Sequence, residues 1–273
     1  MSAVMPLVNR YQRRRLPPWV RVVSEKLGYP LLGLGLLLAV WWVGGYMIAK
    51  NPATQAFSGF APGHALPRAW ELVTSGTLAA DVLPSLKRIG HGLLLAAMAG
   101  IPTGVLVGWI PTIQRITNFP FQLLRMVSPL AWMPVAVLAF DTWDGSIVFL
   151  IFMAAVWPIL FSTAFAVQRI DPMFFKVANN FGASVLARLR RLVLPAIAPD
   201  ILAGFRLALG IAWVVLVPAE FLGVSSGLGY AINDARDILA YDLLAALVLV
   251  IGVIGYVLDS AVVMLMRYFG WQS

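Results

Sequence analysis

Long apolar runs alternate with short polar intervals along the whole chain, and the runs have the length that a lipid bilayer demands. A helix crosses the hydrocarbon core with about 20 mostly apolar residues. Runs of that size occupy residues 29–49, 90–109, 119–140, 146–167, 201–222 and 243–266. A cleaved signal peptide would carry an apolar stretch of only about 7–15 residues ahead of a small-residue cleavage site, so the first run reads as a retained helix. The pattern predicts an all-α integral membrane protein with about six transmembrane helices. A basic segment, 1–28, precedes one membrane domain, 29–273. The longest polar interval, 50–85, is rich in Pro, Gly and Thr and contains an amphipathic stretch near 69–78.

Composition agrees with this pattern. Apolar residues make up 60% of the 273, charged residues only 12%, and the mean hydropathy is +0.85. A water-soluble domain carries about 25% charged residues. The net charge of +8 would suggest nucleic acid in a soluble protein, but here topology absorbs it. With the amino terminus in the cytoplasm, the cytoplasmic side holds Arg10, Arg13, Arg14, Arg15, Arg21, Lys26, Arg115, Arg169, Lys176, Arg188, Arg190, Arg191 and Arg267. The outer side holds Lys50, Arg68, Lys87, Arg88 and Arg236, and Arg125 and Arg206 fall inside spans. That bias is the one the positive-inside rule requires. No nucleic-acid partner is expected. The absence of cysteine excludes disulfides and thiolate chemistry. His64 and His91 stand far apart in no metal-ligand spacing, so no metal site is expected.

One polar interval has its own pattern. Between the fourth and fifth runs, Phe174, Ala178, Phe181, Val185, Leu189 and Leu192 recur at steps of three and four, marking one apolar helical face. Asn179, Asn180, Ser184, Arg188 and Arg191 lie opposite. Gly182 interrupts the middle, where it costs about 1 kcal/mol relative to alanine, which suits a sharp turn or the close approach of another protein. Pro195 and Pro199 are expected to end this helix before the next span. From periodicity alone, the segment either docks a partner or lies on the lipid headgroups.

The run Lys176-Val177-Ala178-x-x-x-Gly182, followed by Leu192-Val193-Leu194-Pro195, resembles the loop by which permeases of ATP-binding-cassette (ABC) importers engage their ATPase. The family pattern is Glu-Ala-Ala, three residues, Gly, nine residues, then Ile-x-Leu-Pro. Ala178, Gly182, Leu194 and Pro195 match it; Lys176 replaces the glutamate, Val177 the first alanine and Leu192 the isoleucine. The resemblance extends from about residue 65 to the end, through 85–89, 123–134, 151–162, 204–207, 218–221, 226–230 and 234–236. It points to the nitrate, bicarbonate, sulfonate and taurine group. It implies a type I importer permease fold with a cytoplasmic coupling helix at 172–195, in a bacterial-type inner membrane. The implied partners are cytoplasmic ATPase subunits, an external solute-binding protein and a second permease copy, most simply as a homodimer. ATP and Mg would sit on the ATPases and no cofactor on this chain, which lacks the Gly-x-x-x-x-Gly-Lys-Ser/Thr phosphate loop.

Ionisable residues inside spans face protein or water rather than lipid, so Arg125, Arg206, Glu220 and Asp259 stand out. Arginine's planar fork matches oxyanions. Arg125 and Arg206 therefore either line an anion path or snorkel to the cytoplasmic boundary. Ser128, Pro129, Trp132 and Pro134 suggest either a broken helix beside a cavity or a packed kink. Glu220 would repel an anion, and pairing with a basic residue suits it better than solute contact. Ser225-Ser226-Gly227-Leu228-Gly229 reads as an outer turn. The path candidates are thus Arg125, Ser128, Pro129, Trp132, Arg206 and Glu220, for a small anionic solute; a neutral or cationic nutrient is the alternative cargo. An intramembrane enzyme would need paired carboxylates, a metal cluster or a Ser/His arrangement. Asp141 and Asp144 are near each other but have no histidine beside them, so no catalytic residue is expected.

Overall fold

The computed structural model describes residues 28–221 and 223–268, and every regular element among them is helical. The basic segment 1–28 lies, apart from Gly28, outside the described residues. The chain divides after Pro62 into two units.

In the first unit, α1 (Tyr29–Lys50) is apolar on all sides and exposed along nearly its whole length. A 3-10 turn at Gln55–Phe60 folds back along it. Trp41 donates its indole N–H to the Phe60 carbonyl at 2.9 Å. A Cβ on Gly45 would stand 2.8 Å from that of Ala61, which explains the glycine.

The second unit, from Gly63, holds all but the first residue of amphipathic α2 (Pro62–Ser75), then α3 (Leu78–Trp109), α4 (Pro111–Met126), a 3-10 turn (Pro129–Trp132) and α5 (Met133–Ala139). Next come α6 (Trp143–Gln168), α7 (Pro172–Asn180), α8 (Val185–Arg188), α9 (Leu194–Glu220), α10 (Leu228–Asp237) and α11 (Tyr241–Tyr268). Helices α1, α3, α6, the continuous run Val185–Glu220 and α11 are each long and apolar enough to span a bilayer.

Three expectations need correction. The third run, 119–140, is not one continuous helix but the broken helix that its prolines allowed: α4 and the segment Pro129–Ala139 meet at 89°. Ser128 precedes a proline, which disfavours its helical conformation, and it is extended at ψ 129°. If this bent pair is one span, the total is six. Second, α3 begins at Leu78 rather than near residue 90, so Lys87 and Arg88 lie within a helix. Buried polar groups hid that start. Third, Pro195 and Pro199 do not end a helix. Pro195 is the second residue of α9, and the π-turn at Leu189–Val193 ahead of it re-registers the hydrogen bonds that a proline would break.

Packing of α3 on α6 is the most extensive in the molecule. Gly92, Ala96, Gly100, Gly104 and Gly108 recur every four residues along one face of α3. A Cβ on Gly104 would stand 2.6 Å from the Leu160 carbonyl oxygen, and one on Gly108 would meet the Ala164 carbonyl at 2.6 Å. Small residues at this spacing let two backbones touch, and close dispersion contact is what drives helix association in lipid. Contacts advance together from Gly92–Ile151 to Gly108–Val167, so α3 and α6 run parallel. Helix α9 runs the other way, seating Gly204 against Ser162 and Pro158.

At the end where α3 and α6 begin, a buried polar network ties four elements together. The Glu220 carboxylate accepts from Arg88 Nη1 at 2.6 Å, Ser85 Oγ at 2.8 Å and the Gly229 N–H at 2.8 Å. Arg88 also donates through Nε to Asp144 at 2.6 Å and to the Ser226 carbonyl at 2.8 Å. The turn ahead of α10 closes on this network, with Gly227 at φ +118°. A Cβ there would lie 2.6 Å from both Arg88 and Glu220, so only glycine fits. Breaking such a pair leaves a bare charge in a site closed to water.

Gly104→Val is expected to destabilise the folded protein by about 1–3 kcal/mol, while Gly90→Ala, with open space at its Cβ, stays within about 0.5 kcal/mol. Denaturant titration of the detergent-solubilised chain measures both. The same titration is expected to show a loss of about 3–5 kcal/mol for Arg88→Met. Adding Glu220→Leu should restore much of that loss, because no buried unpaired charge remains and Asp144, which also loses Arg88, is exposed to solvent.

Candidate functional site

The segment 172–195 folds as a hairpin of two short helices. Asp171 caps α7 by accepting the Met173 N–H at 2.8 Å, and Pro172 occupies the first helical position. Gly182 ends α7 in the left-handed conformation at φ +67°. The Gly182 N–H bonds to the Asn179 carbonyl at 2.9 Å and the Ala183 N–H to the Ala178 carbonyl at 3.0 Å, a Schellman closure. Nothing lies within 4 Å of where its Cβ would be, so the glycine serves the turn. Ser184 then caps α8 through the Ala187 N–H. Arg188 donates to Asn179 Oδ1 at 2.6 Å and fastens the two arms together.

One side of the hairpin is anchored. Phe175 packs on Trp109 with ring centroids 5.8 Å apart, and Val193 and Ile197 bury beside Val105 and Val167. An ion pair between Arg169 and Asp200 joins its two roots. The hairpin therefore sits on the shared end of α3, α6 and α9, opposite the Arg88–Glu220 network. Its other side exposes Met173, Phe174, Val177, Phe181, Val185 and Leu186, with Lys176 among them. The expected single apolar face is split by the turn at Gly182. Phe174, Phe181 and Val185 point outward, whereas Leu189 and Leu192 are half-buried. Of the motif residues, Lys176, Val177, Gly182 and Pro195 are exposed, Leu194 lies at the same surface, and Ala178 and Leu192 are half-buried. Phe175 and Val193, which anchor the hairpin, were invisible to a search for one amphipathic helix because two helices share the task.

Four of the path candidates meet at the elbow between α4 and α5. Arg125 is exposed and stacks its guanidinium 5.2 Å over the Phe161 ring, within the range of a cation–π contact. Ser128 is exposed where the chain bends. Pro129 opens the 3-10 turn, and Trp132 closes it, half-buried against the central core, its indole N–H meeting no acceptor among the described residues. The other two lie elsewhere. Arg206 reaches across from α9 to Asp259 on α11, with Nε to Oδ1 at 2.6 Å and Nη2 to Oδ2 at 2.7 Å. This is a sideways bidentate pair rather than a side chain running along its helix to the membrane boundary. Glu220 is about 21 Å further along α9, enclosed by Arg88 and Ser85, so it takes the pairing role. Asp259 and Arg88 complete these ion pairs. Hydropathy could flag Asp259 but could not join it to Arg206, 53 positions away in the chain.

Comparison with known proteins supplies the family. Residues 100–270 match the family described as binding-protein-dependent transport system inner membrane component. The bicarbonate transport system permease protein CmpB of Synechococcus elongatus is 38% identical over 191 residues, covering 69% of this chain and 68% of that one. The nitrate import permease protein NrtB of Leptolyngbya laminosa is 33% identical over 236 residues, 83% of this chain and 82% of its own. The taurine transport system permease protein TauC of Escherichia coli is 30% identical over 266 residues, 96% and 95% of the two chains. The all-helical architecture, with a short helical hairpin at one end of the spans, is that of the type I importer permeases. This chain belongs to the binding-protein-dependent transport system inner membrane components, the multi-pass permease subunits of ABC importers.

Proposed function

We propose that this permease carries a small oxyanion across a bacterial-type inner membrane, driven by ATPase subunits that dock on the hairpin 172–195. The observation that carries the docking assignment is the hairpin's two-sidedness. One side is bolted to α3, α6 and α9, and the other offers Met173, Phe174, Val177 and Phe181 to a partner. Force applied to the exposed side reaches three spans directly. An exposed apolar surface of this kind, with Lys176, Arg190 and Arg191 beside it, suits either a protein partner or lipid headgroups, and the resemblance of the segment to the ATPase-docking loop favours the partner. Docking there puts the hairpin in the cytoplasm, in keeping with its basic residues Lys176, Arg188, Arg190 and Arg191.

The cargo reading rests on the relatives and on chemistry. The three permeases above are named for bicarbonate, nitrate and taurine, all of which present two or three oxygens that share negative charge. Arg125 and Arg206 are the arginines within the apolar runs, and both are exposed. An external solute-binding protein would deliver the solute, and a second copy of this chain would complete the path.

With the complete transporter in proteoliposomes, Gly182→Val forces a branched residue into the left-handed conformation, a strain of about 1–3 kcal/mol. The expected result is ATP hydrolysis with lost uptake; normal uptake per ATP would remove the hairpin from the coupling role. Arg125→Ala is expected to lower uptake of radiolabelled nitrate, bicarbonate or taurine by about tenfold, the value of one charge-assisted hydrogen bond. Unchanged uptake would return Arg125 to a packing role over Phe161. Import of none of these oxyanions by the wild-type transporter would overturn the cargo reading itself.

A further inference from the structure

The Arg206–Asp259 pair lies in an open groove between α9 and α11, with a volume of about 760 Å³ and walls that include Ala203, Leu207, Gly210, Ile211 and Met266. Its two side chains are 45% and 42% exposed. Arg206 is twelve residues, about 18 Å, from the start of α9, and Asp259 nine residues, about 14 Å, from the end of α11. An ion pair inside two apolar helices, six residues or about 9 Å along α9 from Asp200 at the hairpin root, is costly to leave open to hydrocarbon, because lipid tails offer no hydrogen bonds. The groove therefore faces water or protein.

The guanidinium retains capacity. Of its five N–H donors, two engage Asp259. Among the described residues no acceptor meets Nη1, which leaves both of its donors and one on Nη2 free. The carboxylate oxygens each accept one bond and keep further lone pairs. Positive and negative groups thus stand side by side, each half-satisfied, in a groove otherwise apolar.

We propose that this groove is a binding site for a small zwitterion, with an oxyanion head on Arg206 and an ammonium group on Asp259. The inference rests on the oxyanion reading above and narrows it. Charge balance decides the class. A plain anion beside the pair would leave one uncompensated negative charge against largely apolar walls, a cost that the half-exposed position lessens but does not remove. A zwitterion laid alongside, head to tail, keeps the cluster neutral and satisfies the free donors and lone pairs at once. Neither partner of the resting pair need let go. Binding of that kind is specific yet shallow, which suits a site the solute must leave again.

Taurine and isethionate separate the readings, because they share a two-carbon sulfonate and differ in an ammonium against a hydroxyl. Equilibrium binding of each radiolabelled compound to the purified permease–ATPase complex, in lipid-free detergent and without the solute-binding protein, removes that protein's own selectivity. Taurine is expected to bind about tenfold more tightly than isethionate. Asp259→Asn is expected to reverse that order, weakening taurine and strengthening isethionate. Arg206→Lys should weaken both by about tenfold or more, since an ammonium cannot replace the fork.

Equal binding of the two compounds, or an order unchanged by Asp259→Asn, would overturn the proposal while leaving oxyanion import intact. Displacement of taurine by added phosphatidylglycerol would assign Arg206 to a lipid phosphate and also overturn it. So would dissociation of the permease pair in both variants with taurine affinity unaltered, because the groove would then be an interface between copies. Failure of the wild-type transporter to import any oxyanion is a separate result and strikes the wider cargo reading.

Discussion

The rest of the molecule depends on the contact of two backbones. Where α3 lies along α6, glycine or alanine stands at every fourth position from Gly92 to Gly108, and the carbonyls of Leu160 and Ala164 occupy the space that side chains would fill. In lipid the hydrophobic effect does not distinguish helix–helix from helix–lipid contact, so association must come from close dispersion and polar contacts. Two parallel spans joined in this way behave as one beam. Helix α9 seats on the same beam through Gly204, antiparallel to it, and completes the central core.

The two ends of that beam are finished differently. At one end Arg88, Glu220 and Ser85 form a water-excluded network, tied at its rim to exposed Asp144, that gathers α3, α6, α9 and the turn before α10. Each member is satisfied, which makes the arrangement tolerable in a low-dielectric interior and directional in a way that apolar packing is not. At the other end the hairpin stands on Phe175, Val193 and Ile197, with its outer surface apolar and uncovered. A push on the hairpin is thus delivered to the same three helices that the network clamps at the far end. The bent pair α4–α5 and the groove of α9 and α11 lie beside this beam, where exposed arginines meet open space.

Much of this was legible in the residues. Apolar run lengths located five spans to within a few positions at most ends, and the spacing of Ala178, Gly182, Leu194 and Pro195 marked the segment 172–195, though as one helix rather than a hairpin. The starts of α3 and of the run leading into α9 were not legible. In α3, Ser85 and Arg88 fell ahead of the apolar run that starts at 90, because hydropathy treats a charged side chain as solvent-seeking, whatever partner the fold provides. Before α9, two prolines read as a stop because periodicity carries no sign of a π-turn. The every-fourth small residue on α3 was present in the sequence all along, as a signal of close packing that a search for long apolar runs passes over.

What the sequence determined by itself is the solvent and the plan: lipid around a helical bundle, and a glycine at position 182 suited to a sharp turn or a close approach. Those properties follow from local composition and backbone preference, which neighbours in the chain decide. Partnership was decided only by the tertiary structure. Arg88 found Glu220 across 132 positions and Arg206 found Asp259 across 53, because an ion pair is a matter of distance in space, and the helix packing alone sets that distance.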